Sequence, residues 1–521
     1  MKAFLCLFLS ITCYHLGAQG IDVQHYRYEI ELSDASDALT GKATITVKFL
    51  SEASQLQLDL ESLEEEKGMM AFSVTEGGRP LQVVHRNGLL LVNLAQPATT
   101  GAVRTFQVDY MGVPKDGLII SKNKFGDRTF FADNWPDRAH HWLPSNDIPG
   151  DKATVEFIVT TPAHYSVISN GLLVEEKKLN PDKKRTHWKE DLPIPTKVMV
   201  IGVAKFAVAR VDSSYRLPVT AWVYPGDSAK GFYDYAIADD VLNFFESYIG
   251  PFPYRKLANV QSTTIFGGME NASAIFYGEK TVTGTRASED LIAHEIVHQW
   301  FGNTATEKNF AHLWLSEGFA TYLTNVYIEA KYGRDSFVTR LTGDRAQVRA
   351  FAAENGNPVV DSISPLMDLL NANSYKKGGW VLHMLRQQLG DSIFKKIIQT
   401  YYHQYKWSNA DTRDFQQVAE RVSGKSLQDF FDQWLYKGGI PVLGIKTRIE
   451  EDKVEVTIIQ EKGDFRFPLE LAVVLQGKTN KYTVPIEGKE TSFKLELKGV
   501  TGVILDPDCK LLYKDAFVKL R

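Results

Sequence analysis

The sequence predicts a multidomain α+β protein, and three observations carry that expectation. Alternating apolar strands occupy residues 21–208, helical periodicity dominates from about 235 to 436, and strands return after Lys437-Gly438-Gly439-Ile440-Pro441. A chain of 521 residues has room for about three domains of ordinary size. The expected divisions are a signal peptide at 1–18, a β domain at 19–210, a mainly helical domain at 211–439 and a small β-sandwich at 440–521.

At the start, Met1-Lys2 supplies a positive charge and Ala3 to Leu16 an apolar run too short to span a bilayer. Small residues Gly17 and Ala18 offer a cleavage point before Gln19, so the chain is expected to be exported, to a periplasm or the extracellular space. Cys13 invites comparison with a lipoprotein site, but Ile11-Thr12 is a poor approach to one. Cys6 and Cys13 fall in this segment, which leaves only Cys509 and no internal disulfide. No later apolar run has the length of a transmembrane helix.

Between 21 and 208, Tyr26, Tyr28, Ile30 and Leu32 alternate with polar residues, as do Ile45, Val47 and Phe49, and Leu56, Leu58 and Leu60. Further strands are expected at 89–94, 105–110, 153–160, 165–169, 186–189 and 198–203. Glu76-Gly77-Gly78, Asn87-Gly88 and Asn170-Gly171 are turn signals between them. A last strand pair near 217–224 leads to a helix whose apolar face is Tyr235, Ile237, Val241, Leu242, Phe245 and Ile249. Helices are then expected at 289–301 with Ser288 as N-cap, from Glu317 to about Tyr332, and at 379–389, 392–405, 412–422 and 427–436, with Asp411 and Ser426 as N-caps. Strands at 454–459, 469–475, 481–485, 492–497 and 502–505 fit a sandwich.

With 59 basic and 63 acidic residues the net charge is −4, which gives no reason to expect a nucleic-acid partner. The densest basic run, Lys177 to Arg185, is broken by Asn180-Pro181-Asp182 and reads as a solvated hairpin tip.

The chemistry is concentrated in His294-Glu295-Ile296-Val297-His298 and, eighteen residues on, Glu317. Four-residue spacing on a helix puts His294 and His298 on one face. With Glu317 they make a His2Glu zinc set that leaves one tetrahedral position open for water, and Glu295 stands where a general base for that water belongs. Upstream, Gly267-Gly268-Met269-Glu270-Asn271 by itself reads equally as a solvated turn or as an edge strand along which a peptide backbone can pass; about twenty-five residues before the His-Glu-x-x-His run, the edge strand is the reading taken, with Glu270 directed into a cleft to hold an ammonium group.

These pieces together, with Trp314-Leu315-Ser316-Glu317-Gly318-Phe319-Ala320, resemble the aminopeptidase N family of gluzincin metallopeptidases, to which leukotriene hydrolase and aminopeptidase B also belong. The resemblance extends to Pro251–Leu257 and to Asp506-Pro507-Asp508. It implies a saddle-like N-terminal β domain, a thermolysin-like catalytic domain and a β-sandwich. It implies one Zn2+ per chain on His294, His298 and Glu317, with Glu295 as base and Tyr375 steadying the oxyanion. Glu270 would hold the substrate's free α-amino group, with Gly267, Gly268, Met269 and Asn271 along the substrate path. The expected partners are peptides with a free N-terminus.

Three departures from the family pattern stand out. Trp135 occupies the place of a second amine-binding Glu or Gln, which leaves Asp133 or Asn134 as its substitute. His312 stands in a segment that lacks the usual Trp and Asp, and with the ligand set complete it is expected to play a supporting or surface role. The family's C-terminal helical domain has no counterpart here, from which a more open cleft is expected. Asn303 is read either as a helix cap or as a support for the metal site. The rival functions are a thermolysin-type endopeptidase, an epoxide hydrolase (Met367, beside Asp368, stands where that activity uses an Asp), and a non-catalytic peptide-binding protein on the same fold.

Overall fold

The computed structural model describes residues 20–212, 216–450, 452–476 and 478–516; the expected signal peptide lies outside them. Strands, helices and strands follow one another along the chain in the order the sequence predicts.

The N-terminal region is a stack of sheets. Its largest sheet has eight strands, at the centre of which Ile21–Glu31 pairs antiparallel with Leu39–Phe49 and parallel with Lys152–Pro162. Tyr26, Tyr28 and Ile30 point inward at period two, as their spacing predicts. A four-stranded sheet orders Ser166–Ser169, Ile201–Ala204, Arg128–Ala132 and Leu118–Lys122. The last two of these strands were not expected. They matter because Arg128–Ala132 delivers the loop that carries Asp133, Asn134 and Trp135. The strand expected at 198–203 begins only at Ile201, after a 3-10 turn at Thr196–Val198. Buried Asn170 enforces that turn by donating to Val198 O and accepting from Val200 N.

The region from Ala207 onward opens with a mixed five-stranded sheet whose edge is Gly268–Met269, paired antiparallel with Ala274–Gly278. The helix expected at 289–301 is Glu289–Val297, with His298 as its C-cap. The chain folds back there, through Asn303 N donating to His298 O and Gly302 N to Ala305 O. Ser288 does not cap by its side chain; its hydroxyl donates to Thr281 O instead. Asp411 does cap, in a reciprocal box with Asp414. Ser426 does not, because the last helix starts one residue later, at Gln428, with Leu427 as its cap residue.

Helix Trp314–Tyr332 is followed by a second long helix, Arg334–Glu354, which the apolar pattern did not reveal. Only Phe337, Leu341, Asp344 and Val348 of its 21 residues are buried; they keep helical spacing, but the stripe is narrow and one of its four members is an aspartate, so the apolar signal is weak. The C-terminal strands form a four-stranded and a three-stranded sheet, including an unexpected Val442–Ile449. Cys509 is a buried free thiol. No helix among the described residues is long and apolar enough to cross a membrane.

Candidate active site

His294 and His298 sit on the last turn of one helix and Glu317 on the first turn of another. Their facing atoms form a near-equilateral triangle: 3.1 Å between the two Nε2 atoms and 3.3 Å from each to Glu317 Oε2. Three corners of a zinc tetrahedron with bonds of about 2.0–2.2 Å stand about 3.3 Å apart, so the donor set fits zinc in both chemistry and spacing. His298 Nδ1 lies 3.0 Å from Phe301 O and donates to it, which turns the Nε2 lone pair toward the triangle. Burial alone would lower the His298 imidazole, but Glu317 beside it holds it up at about 10. Burial pushes the Glu317 carboxyl up, and the two imidazoles overcome this and hold it below the usual carboxylate range. A cation taken up by the triangle would displace that proton.

Glu295 projects from the same helix and is buried. Burial raises its carboxyl well above the ordinary value, opposed by His298 and reinforced by Glu270 and Glu317. A carboxyl so raised is a stronger proton acceptor than an ordinary glutamate. Its position explains a glycine: a Cβ on Gly268 would stand 2.4 Å from Glu295 Oε1, so a side chain there would displace the Glu295 carboxyl. Met269 is buried in the cleft lining, and Gly267 is exposed along it.

Glu270 is fixed by its own backbone. Its carbonyl accepts from Gln299 Nε2 and Asn303 Nδ2, each at 2.7 Å. This is the role of Asn303: it bolts the edge strand to the turn behind the metal site. The Glu270 side chain is buried, and its Oε1 has no hydrogen-bond partner. Burial raises its carboxyl, and His298 and the buried Lys197 pull against that. Lys197 is itself paired with Glu307 at 2.5 Å. A buried carboxylate oxygen without a donor is costly unless a ligand supplies one.

Tyr375 arrives from a third direction, on a wide π-helical turn at Asn373–Lys377. Its ring stacks on His294 at 5.9 Å between centroids. What brings it so close is a glycine-to-glycine crossing: a Cβ on Gly318, next to Glu317, would lie 2.9 Å from the Gly378 carbonyl carbon. Burial, with Glu317, Glu270 and Glu295 adding to it, pushes the phenol well above its usual value, so it remains a protonated donor. These groups line a single cleft of about 340 Å³.

The chain matches the Peptidase family M1 domain over residues 233–434 and the Peptidase M1 N-terminal domain over residues 22–198. The chain belongs to peptidase family M1. It is 28% identical over 383 residues to "Probable aminopeptidase 2" of Sulfurisphaera tokodaii, covering 70% of this chain and 48% of that protein. It is 27% identical over 462 residues to aminopeptidase M1 of Arabidopsis thaliana, covering 82% and 52%. This M1 chain thus spans about half the length of the curated relatives it matches. Its fold is similar to that of Legionella pneumophila aminopeptidase A in complex with aspartic acid, with TM-score 0.84, 18% identity and coverage of 97% and 60%. It is also similar in fold to the M1 zinc metallopeptidase of Deinococcus radiodurans, with TM-score 0.68, 21% identity and coverage of 82% and 96%.

Two expected substrate contacts are corrected. Asp133 is fully buried and its carboxylate is saturated: Oδ1 accepts from Arg138 at 2.7 Å, and Oδ2 accepts from Thr264 Oγ1 at 2.8 Å and Ile265 N at 3.1 Å. Asn134 is equally occupied, donating to Thr196 O and Met199 O and accepting from Trp142 Nε1. Neither can receive a substrate amine. Trp135 lines the cleft in their place, packed edge-on against Phe266 and Phe310. Asn271 is fully buried outside the lining. His312 stands apart from the metal triangle, its Nδ1 2.9 Å from Thr412 Oγ1 at the start of a helix.

Sequence reasoning missed Asp290, Thr321, Thr324, Arg340 and Lys376, all of which line the cleft. Helical spacing held a signal for three of them. Asp290 precedes His294 by four residues, and Thr321 and Thr324 follow Glu317 by four and seven, on the same faces as the metal ligands.

Proposed function

We propose that the chain is a zinc-dependent aminopeptidase that removes N-terminal residues from peptides. One zinc per chain would be held by His294, His298 and Glu317. The observation that carries the exopeptidase reading is the buried, unpartnered Glu270 oxygen beside this triangle. An α-ammonium is the donor it lacks.

When bound, zinc would acidify water and polarise the scissile carbonyl. The rest falls to the chain's own residues. Glu270 fixes the free amino end, so the first peptide bond lies over Glu295. Glu295 takes the proton from the attacking water and passes it to the leaving amine. The Tyr375 phenol donates a hydrogen bond as negative charge develops on the carbonyl oxygen. Gly268–Met269 offers its free strand edge to the substrate backbone. The three regions serve this as domains at 19–210, 211–439 and 440–521, the first saddle-like and the second thermolysin-like. The leading 18 residues direct export; N-terminal sequencing of the exported protein is expected to start at Gln19.

Free and N-acetylated aminoacyl reporters, assayed with and without chelator and restored zinc, test this. Hydrolysis of the free series alone, abolished by chelator and restored by zinc, is expected. Cleavage of acetylated peptides would favour an endopeptidase instead. A protein that binds no zinc and ignores chelator would be a non-catalytic binder.

A further inference from the structure

The cleft continues past the metal triangle, away from Glu270. Glu270 is tied to Gln299 and Asn303, just beyond His298. At the other end the two metal-bearing helices run antiparallel: Tyr327 Oη donates to Glu289 Oε1 at 2.6 Å. Stepping from Glu317 to Thr321 and Thr324 therefore moves toward Asp290, away from the amine end. Given the aminopeptidase reading, on which this inference rests, the residue after the scissile bond must lie at this end.

This end is furnished for a ligand. Thr321 Oγ1 and Thr324 Oγ1 are buried without a hydrogen-bond partner, in residues only 5% and 2% exposed. Both residues line the cleft, together with Arg340 and Lys376. Arg340 Nε donates to Asn325 Oδ1 at 2.8 Å and Nη1 to Asp290 Oδ2 at 3.2 Å, which leaves Nη2 without an acceptor among the described residues. Lys376 is 3.0 Å from Asp344, which is buried outside the lining. The wall therefore presents two cations, one partly solvated carboxylate (Asp290) and two idle hydroxyls.

We propose that Arg340, Lys376, Thr321 and Thr324 form a subsite for a carboxylate on the residue that follows the scissile bond. Two sources supply that group: an acidic side chain, or the C-terminal carboxylate of a dipeptide. A guanidinium already fixed on one edge by Asn325 offers its remaining N–H groups at little entropic cost. The threonine hydroxyls can each donate to a carboxylate, and the two cations set the preference for an anion over an ammonium.

The test compares Ala-Glu-amide with Ala-Gln-amide, and Ala-Ala with Ala-Ala-amide, on zinc-loaded full-length protein. The carboxylate member of at least one pair is expected to show about fivefold higher kcat/KM. Which pair shows it identifies the source. The preference is expected to shrink toward unity in Arg340→Gln and to fall in Lys376→Gln. Calorimetric binding of the same peptides to Glu295→Gln supplies a readout that needs no turnover. Equal or inverted preference in both pairs, or a preference unchanged in both variants, overturns the subsite. Alanine p-nitroanilide, which has no downstream carboxylate, reports on the aminopeptidase reading alone. If it is not hydrolysed that reading falls, and with it the placement relative to a scissile bond, while the calorimetric comparison still decides whether these four residues hold a carboxylate.

Discussion

Glu270 and Asp133 are both buried carboxylates near the cleft, one just after the edge strand Gly268–Met269 and one on a loop of the N-terminal β domain. Burial raises both. Yet Asp133 has Arg138, Thr264 and Ile265 on its oxygens, while Glu270 keeps an oxygen with nothing to accept from. The difference separates structure from function. A saturated carboxylate locks a loop, in this case the one that sets Trp135 into the cleft wall. A carboxylate held in place only by its backbone carbonyl is poised for a visitor. Each wall spends its polar groups differently, and the residue type alone does not say which way.

Substitutions can break or sharpen this contrast. The largest effect is expected from Glu295→Gln, which keeps the shape and removes the base: kcat should fall by about 10³-fold, with bound zinc, measured by metal analysis, unchanged. Retained kcat would remove Glu295 from the mechanism. Next, Asp133→Ala should destabilise the fold by about 3 kcal/mol, because it removes one of the two carboxylates that pair with buried Arg138 and leaves Thr264 Oγ1 and Ile265 N without their acceptor. Denaturant melts measure this, and KM of the surviving folded enzyme should move little. A large rise in KM without loss of stability would return Asp133 to the amine site. Glu270→Gln is expected to do the reverse, raising KM for free peptides by about a hundredfold while the melt barely changes.

The last effect concerns the clasp on the Trp135 loop. His140 Nδ1 lies 2.9 Å from Asp147 Oδ2, and Thr196 donates to the other Asp147 oxygen. Burial alone would lower the His140 imidazole, but Asp147 overcomes it and holds it up at about 9. Because the folded value is raised, its stabilisation is complete below the unfolded value of 6.5 and is lost as pH rises through about 9. The stability of wild type should drop by about 3 kcal/mol across that window, and His140→Gln should lack this component of the drop.

Much of this was legible in the sequence because it is local. The four-residue step from His294 to His298 is a property of any helix, and Tyr26, Tyr28 and Ile30 point inward because strands have period two. Asp411 and Asp414 announced their capping box by spacing alone. The helix Arg334–Glu354 stayed hidden because its exposed majority leaves too little apolar periodicity. Asp133 misled because nothing in Ala132-Asp133-Asn134-Trp135 reveals that Arg138, Thr264 and Ile265 close on its oxygens, the last two from more than a hundred residues away.

The sequence by itself determined the His294–His298–Glu317 cluster that could hold a metal, the place of Glu295 beside it and the order of strand and helix regions, since each rests on short-range periodicity and on the chemistry of the side chains present. Only the tertiary structure decided which polar groups are spent and which are free. It brought Tyr375 onto His294 through the Gly318–Gly378 crossing, left Glu270, Thr321 and Thr324 unpartnered, and turned Trp135 rather than Asp133 toward the cleft. The physical reason is that hydrogen-bond saturation is settled by partners distant in the chain, which no local pattern encodes.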